Sequence, residues 1–207
     1  MFVRHTVGST YITAAAAYGW QDITTDRTVT IAGIDQLRAQ FNANASSGRV
    51  EVVNRWVMPW VDGVGITPYA AAQVVAFDLP SYAETANAGG NMFALAYAAR
   101  TATSTRSELG IRSDKSFAVG DAILTLRGRA AWAHDYNSDR SVAATFQSLP
   151  GASFVVNGAA PARNAALTTA SAEMTFSSGL SLAASFEGEF SDVTTSTTGR
   201  GTIRYRW

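Results

Sequence analysis

From Leu180 onward the chain alternates apolar and polar residues almost without a break. Leu180, Leu182, Ala184, Phe186, Gly188 and Phe190 oppose Ser181, Ser185, Glu187, Glu189 and Ser191. Successive side chains of a strand point to opposite faces, so this segment predicts a strand with one apolar and one charged face. The terminal stretch repeats the pattern, with Gly201, Ile203, Tyr205 and Trp207 against Thr202, Arg204 and Arg206. Earlier segments do the same. Ile12, Ala14, Ala16, Tyr18 and Trp20 share a face within 9–22, and Val50, Val52, Asn54, Trp56 and Met58 share one within 50–58. A strand at 118–136 has Ala122, Leu124, Leu126, Gly128, Ala130 and Trp132 against Thr125, Arg127 and Arg129. Further strands are expected at 66–78, where both faces are mostly apolar, at 99–112 and at 166–176.

The pattern predicts an all-β fold of about eight strands, most of them far longer than the roughly 5–6 residues usual in soluble sheets. The connections are expected to alternate: long at 24–47, where a short helix is predicted near Ile34 to Phe41, short at 59–65, long at 79–98, short at 113–117, long at 137–162 and short at 178–179, with a last polar turn at 192–196. Short turns at one end and long loops at the other mark an antiparallel up-and-down barrel in an outer membrane. The apolar faces then meet lipid and the charged faces line the interior.

On that assignment the interior carries Arg49, Glu51, Arg55, Arg100, Arg106, Glu108, Arg112, Asp121, Arg127, Arg129, Glu173, Glu187, Glu189, Arg200, Arg204 and Arg206. Cross-strand ion pairs are expected there, for instance Glu187 or Glu189 with Arg200. Trp20, Trp56, Trp132 and Tyr136 fall near strand ends, where amphipathic rings form a girdle at the membrane surface.

Composition narrows the alternatives. Only 15% of the 207 residues are charged, 16 basic and 16 acidic, and mean hydropathy is +0.02. A balanced charge favours no nucleic-acid partner, and no run is long and apolar enough for a membrane helix. There are no cysteines and two histidines, so thiolate chemistry and Cys/His zinc sites are out, and no cofactor is expected. The N-terminus MFVRHTVGST shows no signal-peptide pattern. His134, Asp135 and Ser138 are the one constellation suggesting hydrolysis. Adjacent strand residues point to opposite faces, so His134 and Asp135 are poorly placed to pair, and no enzymatic activity is expected.

Five stretches carry a family resemblance: YITAAAAYGWQDITTDR at Tyr11 to Arg27, ITPYAAAQV at Ile66 to Val74, SELGIRSD at Ser107 to Asp114, GRAAWAHDY at Gly128 to Tyr136, and the terminal GTIRYRW. In this order they resemble the C-terminal β-domain of autotransporters, the type V secreted proteins. The resemblance implies one domain over residues 1–207, a translocator barrel in the bacterial outer membrane that accompanies export of an N-terminal passenger polypeptide. Outer-membrane lipid and the barrel-assembly machinery are its implied partners, with Ile203, Tyr205 and Trp207 as the assembly signal. Such domains are typically barrels of about twelve strands threaded by a helix. This chain is expected to hold the last two-thirds of one, without the passenger, the helix and the first strands. The alternative is a self-closed barrel of about eight strands acting as an anchor, adhesin or pore.

Overall fold

The computed structural model describes residues 1–31, 33–59, 63–137 and 140–207, and these contain strands but no α-helix. The chain opens with β1 (Phe2–Val7), β2 (Thr10–Val29), β3 (Asp35–Asn54), the short β4 (Trp56–Met58) and β5 (Val64–Leu79). After β6 (Tyr82–Ala83), β7 (Thr85–Ala88) and β8 (Leu95–Tyr97) come β9 (Arg100–Val119) and β10 (Ala122–Asp135). The remainder is β11 (Ser141–Phe146), β12 (Ser153–Asn157), β13 (Asn164–Phe176), β14 (Leu180–Phe190) and β15 (Thr195–Tyr205).

Nine strands form one antiparallel sheet in the order β1-β2-β3-β5-β9-β10-β13-β14-β15, with β4 added to β5 and β7 to β3. The sheet curls strongly into a half-barrel. Among the described residues its two edges, β1 and β15, do not pair with each other. The expected strand number of eight is therefore too low, and the self-closed eight-stranded barrel is not the arrangement found.

The strands added to the expectation come from segments whose polarity disguised them. The N-terminal segment Phe2–Val7 is β1, paired with β2 from Phe2↔Ala15 to Val7↔Thr10. The expected loop and helix at 24–47 are instead the outer halves of β2 and β3, paired without interruption from Thr10↔Asn54 to Val29↔Asp35. Period two persists there with its sense reversed. In the lower half of β3, Arg49 and Glu51 face the concave side while Val50 and Val52 face outward. In the upper half Leu37, Ala39, Phe41 and Ala43 face the concave side, and Gln36, Arg38, Gln40 and Asn42 face outward. Leu37, Ala39 and Ala43 are buried, because a second sheet packs against them.

That second sheet, β12-β11-β8-β6, is built from the two long connections, 80–99 and 136–163. Tyr82 ties it to the wall, stacking on Phe41 at 3.9 Å and on Tyr97 at 4.5 Å. Arg27 of β2 donates to the buried Glu84 carboxylate and to the Phe93 carbonyl. Burial, with Glu84 nearby, raises the phenols of Tyr82 and Tyr97 above their ordinary range. The puzzling apolar inner positions at the top of β5, Val75, Phe77 and Leu79, face Val142 and Val156 of this cap across a cavity of about 480 Å³.

Two expected turns move. Residues 113–117 lie inside β9, where Ser113, Asp114, Lys115 and Ser116 pair with Gly128, Arg127, Leu126 and Thr125. The charges there are satisfied in place, Asp114 by Arg55 at 2.7 Å and Lys115 by the Phe117 ring at 4.8 Å. The chain reverses later, at Gly120, whose φ of 57° favours glycine. Asp121, expected on the inner face, belongs to that turn. The last reversal is shorter than the expected 192–196. It spans 191–194, where the Ser191 hydroxyl donates to the Thr194 carbonyl and accepts from the Val193 and Thr194 amides. The turn at 59–65 includes residues 60–62, which lie outside the described residues.

On the concave side Tyr69 crosses Gly110, its register partner. A Cβ built on Gly110 would come within 2.6 Å of both the Tyr69 ring and the Ala131 methyl. Gly110→Val should therefore push Tyr69 off its site and destabilise the folded sheet by about 1–3 kcal/mol. Urea unfolding of detergent-refolded protein reads this as a lowered midpoint with unchanged slope.

Candidate functional site: the charged concave face

Register places Arg49, Glu51, Gln73, Tyr69, Glu108, Arg112 and Arg129 on one face of four neighbouring strands, β3, β5, β9 and β10. The curl brings their long side chains together. Arg49 donates twice to Glu108, at 3.0 and 2.9 Å, and Arg129 donates to the same carboxylate at 2.7 Å. Arg112 grips Glu51 in a two-point pair at 2.8 Å per bond, and Arg49 reaches Glu51 at 3.4 Å, closing the group. Tyr69 sits in the middle. Its hydroxyl accepts from Arg129 Nε at 2.5 Å, and its ring lies under Arg112 at 4.0 Å.

Three guanidiniums thus share two carboxylates, leaving the cluster cationic. Glu108 is 7% exposed and Tyr69 4%, so the charges are largely removed from water and held by one another. Towards the short-turn end the face opens into a basin of about 730 Å³ lined by Arg4, Arg55, Arg112, Arg127, Arg129 and Glu187, among others. Towards the cap, Arg106 reaches Glu189 at 2.8 Å across β10 and β13, with Asp135 3.8 Å from its Nε.

The expected positions can now be placed. Arg127, Arg129, Glu187, Glu189, Arg200 and Arg204 all fall on the concave face by register. The expected pairing of Glu187 or Glu189 with Arg200 is not found. Arg200 lies opposite Ser185, Glu187 opposite Thr198, and Glu189 is taken by Arg106. Arg127 pairs with Glu173 at 2.8 Å near the rim. Tyr69, the centre of the cluster, was not singled out by the sequence, because its strand reads as apolar on both faces. Its only signal is the position four residues before Gln73, the one polar inward residue of ITPYAAAQV.

The outward face is apolar where the inner one is charged. Trp20, Trp56, Trp132 and Tyr136 are exposed there, as are Ile203 and Tyr205. Trp132, His134 and Tyr136 form a ladder with ring separations of 5.6 and 4.7 Å. Trp207 is fully exposed beyond the end of β15, with Arg206 bonded through its amide to the Gly179 carbonyl. His134 shares a hydrogen bond with Asn164 on this side, while Asp135 turns inward to Arg106. The two therefore do not form a catalytic pair. Ser138 lies outside the described residues.

The family model of the autotransporter β-domain matches residues 2–187. That covers most of the chain, which therefore belongs to the autotransporter β-domain family, a family of translocator barrels of the bacterial outer membrane. Among curated proteins none matches the chain.

The buried position of Glu108 sets an expected contrast. Glu108→Gln leaves Arg49 and Arg129 without their carboxylate and should lower stability by about 3 kcal/mol. Glu173→Gln, at the wetter rim, should cost under about 1 kcal/mol. Equal shifts in the two unfolding midpoints would contradict the assignment of the Glu108 cluster as the centre of the concave face.

Proposed function

We propose that this chain is the membrane-embedded part of a translocator that anchors an N-terminal passenger and lines the path by which it reaches the cell surface. The observation that carries this reading is the sorting of side chains across one sheet. Charged groups, paired with each other, occupy the concave face, and exposed tryptophan, isoleucine and leucine occupy the outward face. A soluble sheet of this curvature buries apolar residues inside, whereas an outer-membrane barrel reverses the sense. Arginine-rich, hydrogen-bonded walls keep water in the path and offer an extended polypeptide few apolar surfaces to adhere to.

A spanning sheet cannot leave its edges open in hydrocarbon, since each unpaired amide or carbonyl costs several kcal/mol there. The transporting form is accordingly a barrel closed by further strands bound at β1 and β15, in a single domain that includes the four-stranded cap. The outward girdle of Trp20, Trp56, Trp132 and Tyr136 sits at the two lipid–water surfaces. Ile203, Tyr205 and Trp207 form the aromatic end read by the barrel-assembly machinery. The work is mechanical and electrostatic, with no enzymatic step and no cofactor.

Expression with a secretory leader and a small folded reporter at the N-terminus tests this. The expected result is outer-membrane protein whose gel mobility changes on boiling, with surface-accessible reporter. Trp207→Ala should reduce the membrane-assembled fraction about tenfold or more while leaving the synthesised amount unchanged. Normal assembly of that variant removes the terminal-signal role, and a mobility insensitive to boiling argues against a stable barrel.

A further inference from the structure

The two edges of the half-barrel share an unbalanced charge. On the concave side of β15 stand Arg200 and Arg204, fully flanked by small or hydroxylated residues, Thr198 and Thr202. Neither forms an ion pair among the described residues, although almost every arginine deeper in the sheet does. Glu173, a carboxylate within electrostatic reach of Arg204, is already held by Arg127 at 2.8 Å. Glu187 lies diagonally from Arg200 by register and offsets a single charge. At the other edge Arg4 also faces the concave side, resting over the Tyr11 ring at 3.9 Å rather than on a carboxylate. Three edge guanidiniums thus stand against one unclaimed carboxylate.

The backbone of β15 is paired on one side only, with β14 from Leu180↔Tyr205 to Phe190↔Thr195. Its free side offers a long row of amides and carbonyls, and all of its residues are exposed. An edge of this kind accepts another strand. Directly opposed side chains on one face interact, favourably when their charges differ and unfavourably when they match.

We infer that the strand which completes the sheet at β15 carries carboxylates at its inward positions, placed to meet Arg200 and Arg204. The inference rests on the membrane-barrel reading above and specifies the chemistry of its missing wall. It also disfavours two simpler closures. Joining β15 to β1 of the same chain, or to β1 of a second copy, would bring Arg4 to the side that already holds Arg200 and Arg204. Like charges would then line the seam, in a lumen where partial desolvation strengthens their repulsion. A strand with alternating apolar outward and acidic inward residues satisfies the backbone, the lipid and the arginines together. The interior surplus of positive charge noted at the Tyr69 cluster makes the same demand from deeper in the wall.

The test uses the full chain refolded in zwitterionic phosphatidylcholine vesicles and, in parallel, in uncharged detergent micelles. The probes are dye-labelled peptides of about eleven residues, the length of β15 and of a spanning barrel strand. Their outward residues are identical, and their inward residues are all Glu, all Gln or all Lys. The Glu peptide should bind at least tenfold more tightly than the Lys peptide, with the Gln peptide between them. The preference should shrink between about 0.05 and 0.5 M salt as screening grows. Arg200→Gln with Arg204→Gln, a pair of changes on an exposed face, should abolish the preference, and Arg200→Glu with Arg204→Glu should invert it. Equal affinity of the three peptides, or tighter binding of the Lys peptide, overturns the inference. So does cross-linking that finds β15 of the wild type joined to a second copy. A chain that folds in micelles but never enters vesicles counts against the membrane reading, while the peptide series in micelles still decides the charge of the missing strand.

Discussion

The backbone's need for hydrogen-bond partners in a medium without water governs this fold. Inside hydrocarbon an extended chain is tolerable only as part of a continuous ladder, so neighbouring strands must pair along their full buried length. The sheet meets this by running nine strands in sequence order, each antiparallel to the last and each joined to the next in space. Once the ladder is fixed, side chains have two destinations only. Period-two alternation sends one set to lipid and the other to the concave interior, and a single-residue slip would exchange them.

The ion pairs follow from that geometry and also reinforce it. Arg49 to Glu108 and Arg112 to Glu51 each skip over an intervening strand, Arg129 to Glu108 joins adjacent strands, and Arg106 to Glu189 skips over two. Such spans are reachable because the sheet is curled and arginine is long, with five donors in a rigid fork. Buried ion pairs are weak sources of net stability, since desolvation offsets most of the attraction. Their stronger effect here is on register. Moving β9 by one residue would turn Glu108 towards lipid and leave Arg49 and Arg129 facing each other without a carboxylate.

The sequence made the fold class legible because Leu180 to Phe190 and Ala122 to Trp132 each keep one face free of charge. It was silent about β1, which is too short to show periodicity against its neighbours. It misled at 24–47 because alternation was sought in one sense only. Gln36, Arg38, Gln40 and Asn42 alternate with Leu37, Ala39, Phe41 and Ala43 as regularly as any strand in the chain, but polar residues occupy the side expected to be apolar. The run SDKS reads as a turn by composition, and only the three-dimensional positions of Arg55 and Phe117 reveal that its charges are compensated within a strand. The expected partner of Glu189 was also wrong for a spatial reason. Sequence proximity suggests the next strand, whereas curvature supplies Arg106 from three strands away.

On the proposed membrane reading, the reversal of polarity along β2 and β3 falls where these strands leave the lipid. On β2 the outward residues are apolar from Ile12 to Trp20 and polar from Asp22 to Thr28; on β3 they are apolar at Val50 and Val52 and polar from Asn44 to Gln36. Trp20 and Asn44 are register partners, so both strands change at one level. From Ile12 to Trp20 the strand rises about 26 Å at roughly 3.3 Å per residue. Tilted by some 35–45°, that covers about 20 Å of depth, and the Trp20 ring extends it towards the roughly 25 Å apolar band of such barrels. The remaining third or more of each 20-residue strand then stands in water beyond the lipid. A two-stranded ribbon alone in water is only marginally stable. Its concave side must therefore turn apolar and be covered, which is what Leu37, Ala39 and Ala43 do beneath the four-stranded cap. The cap is thus a physical consequence of strands longer than the membrane is thick. The same change of solvent explains why one strand obeys the barrel rule at its base and the soluble rule at its tip.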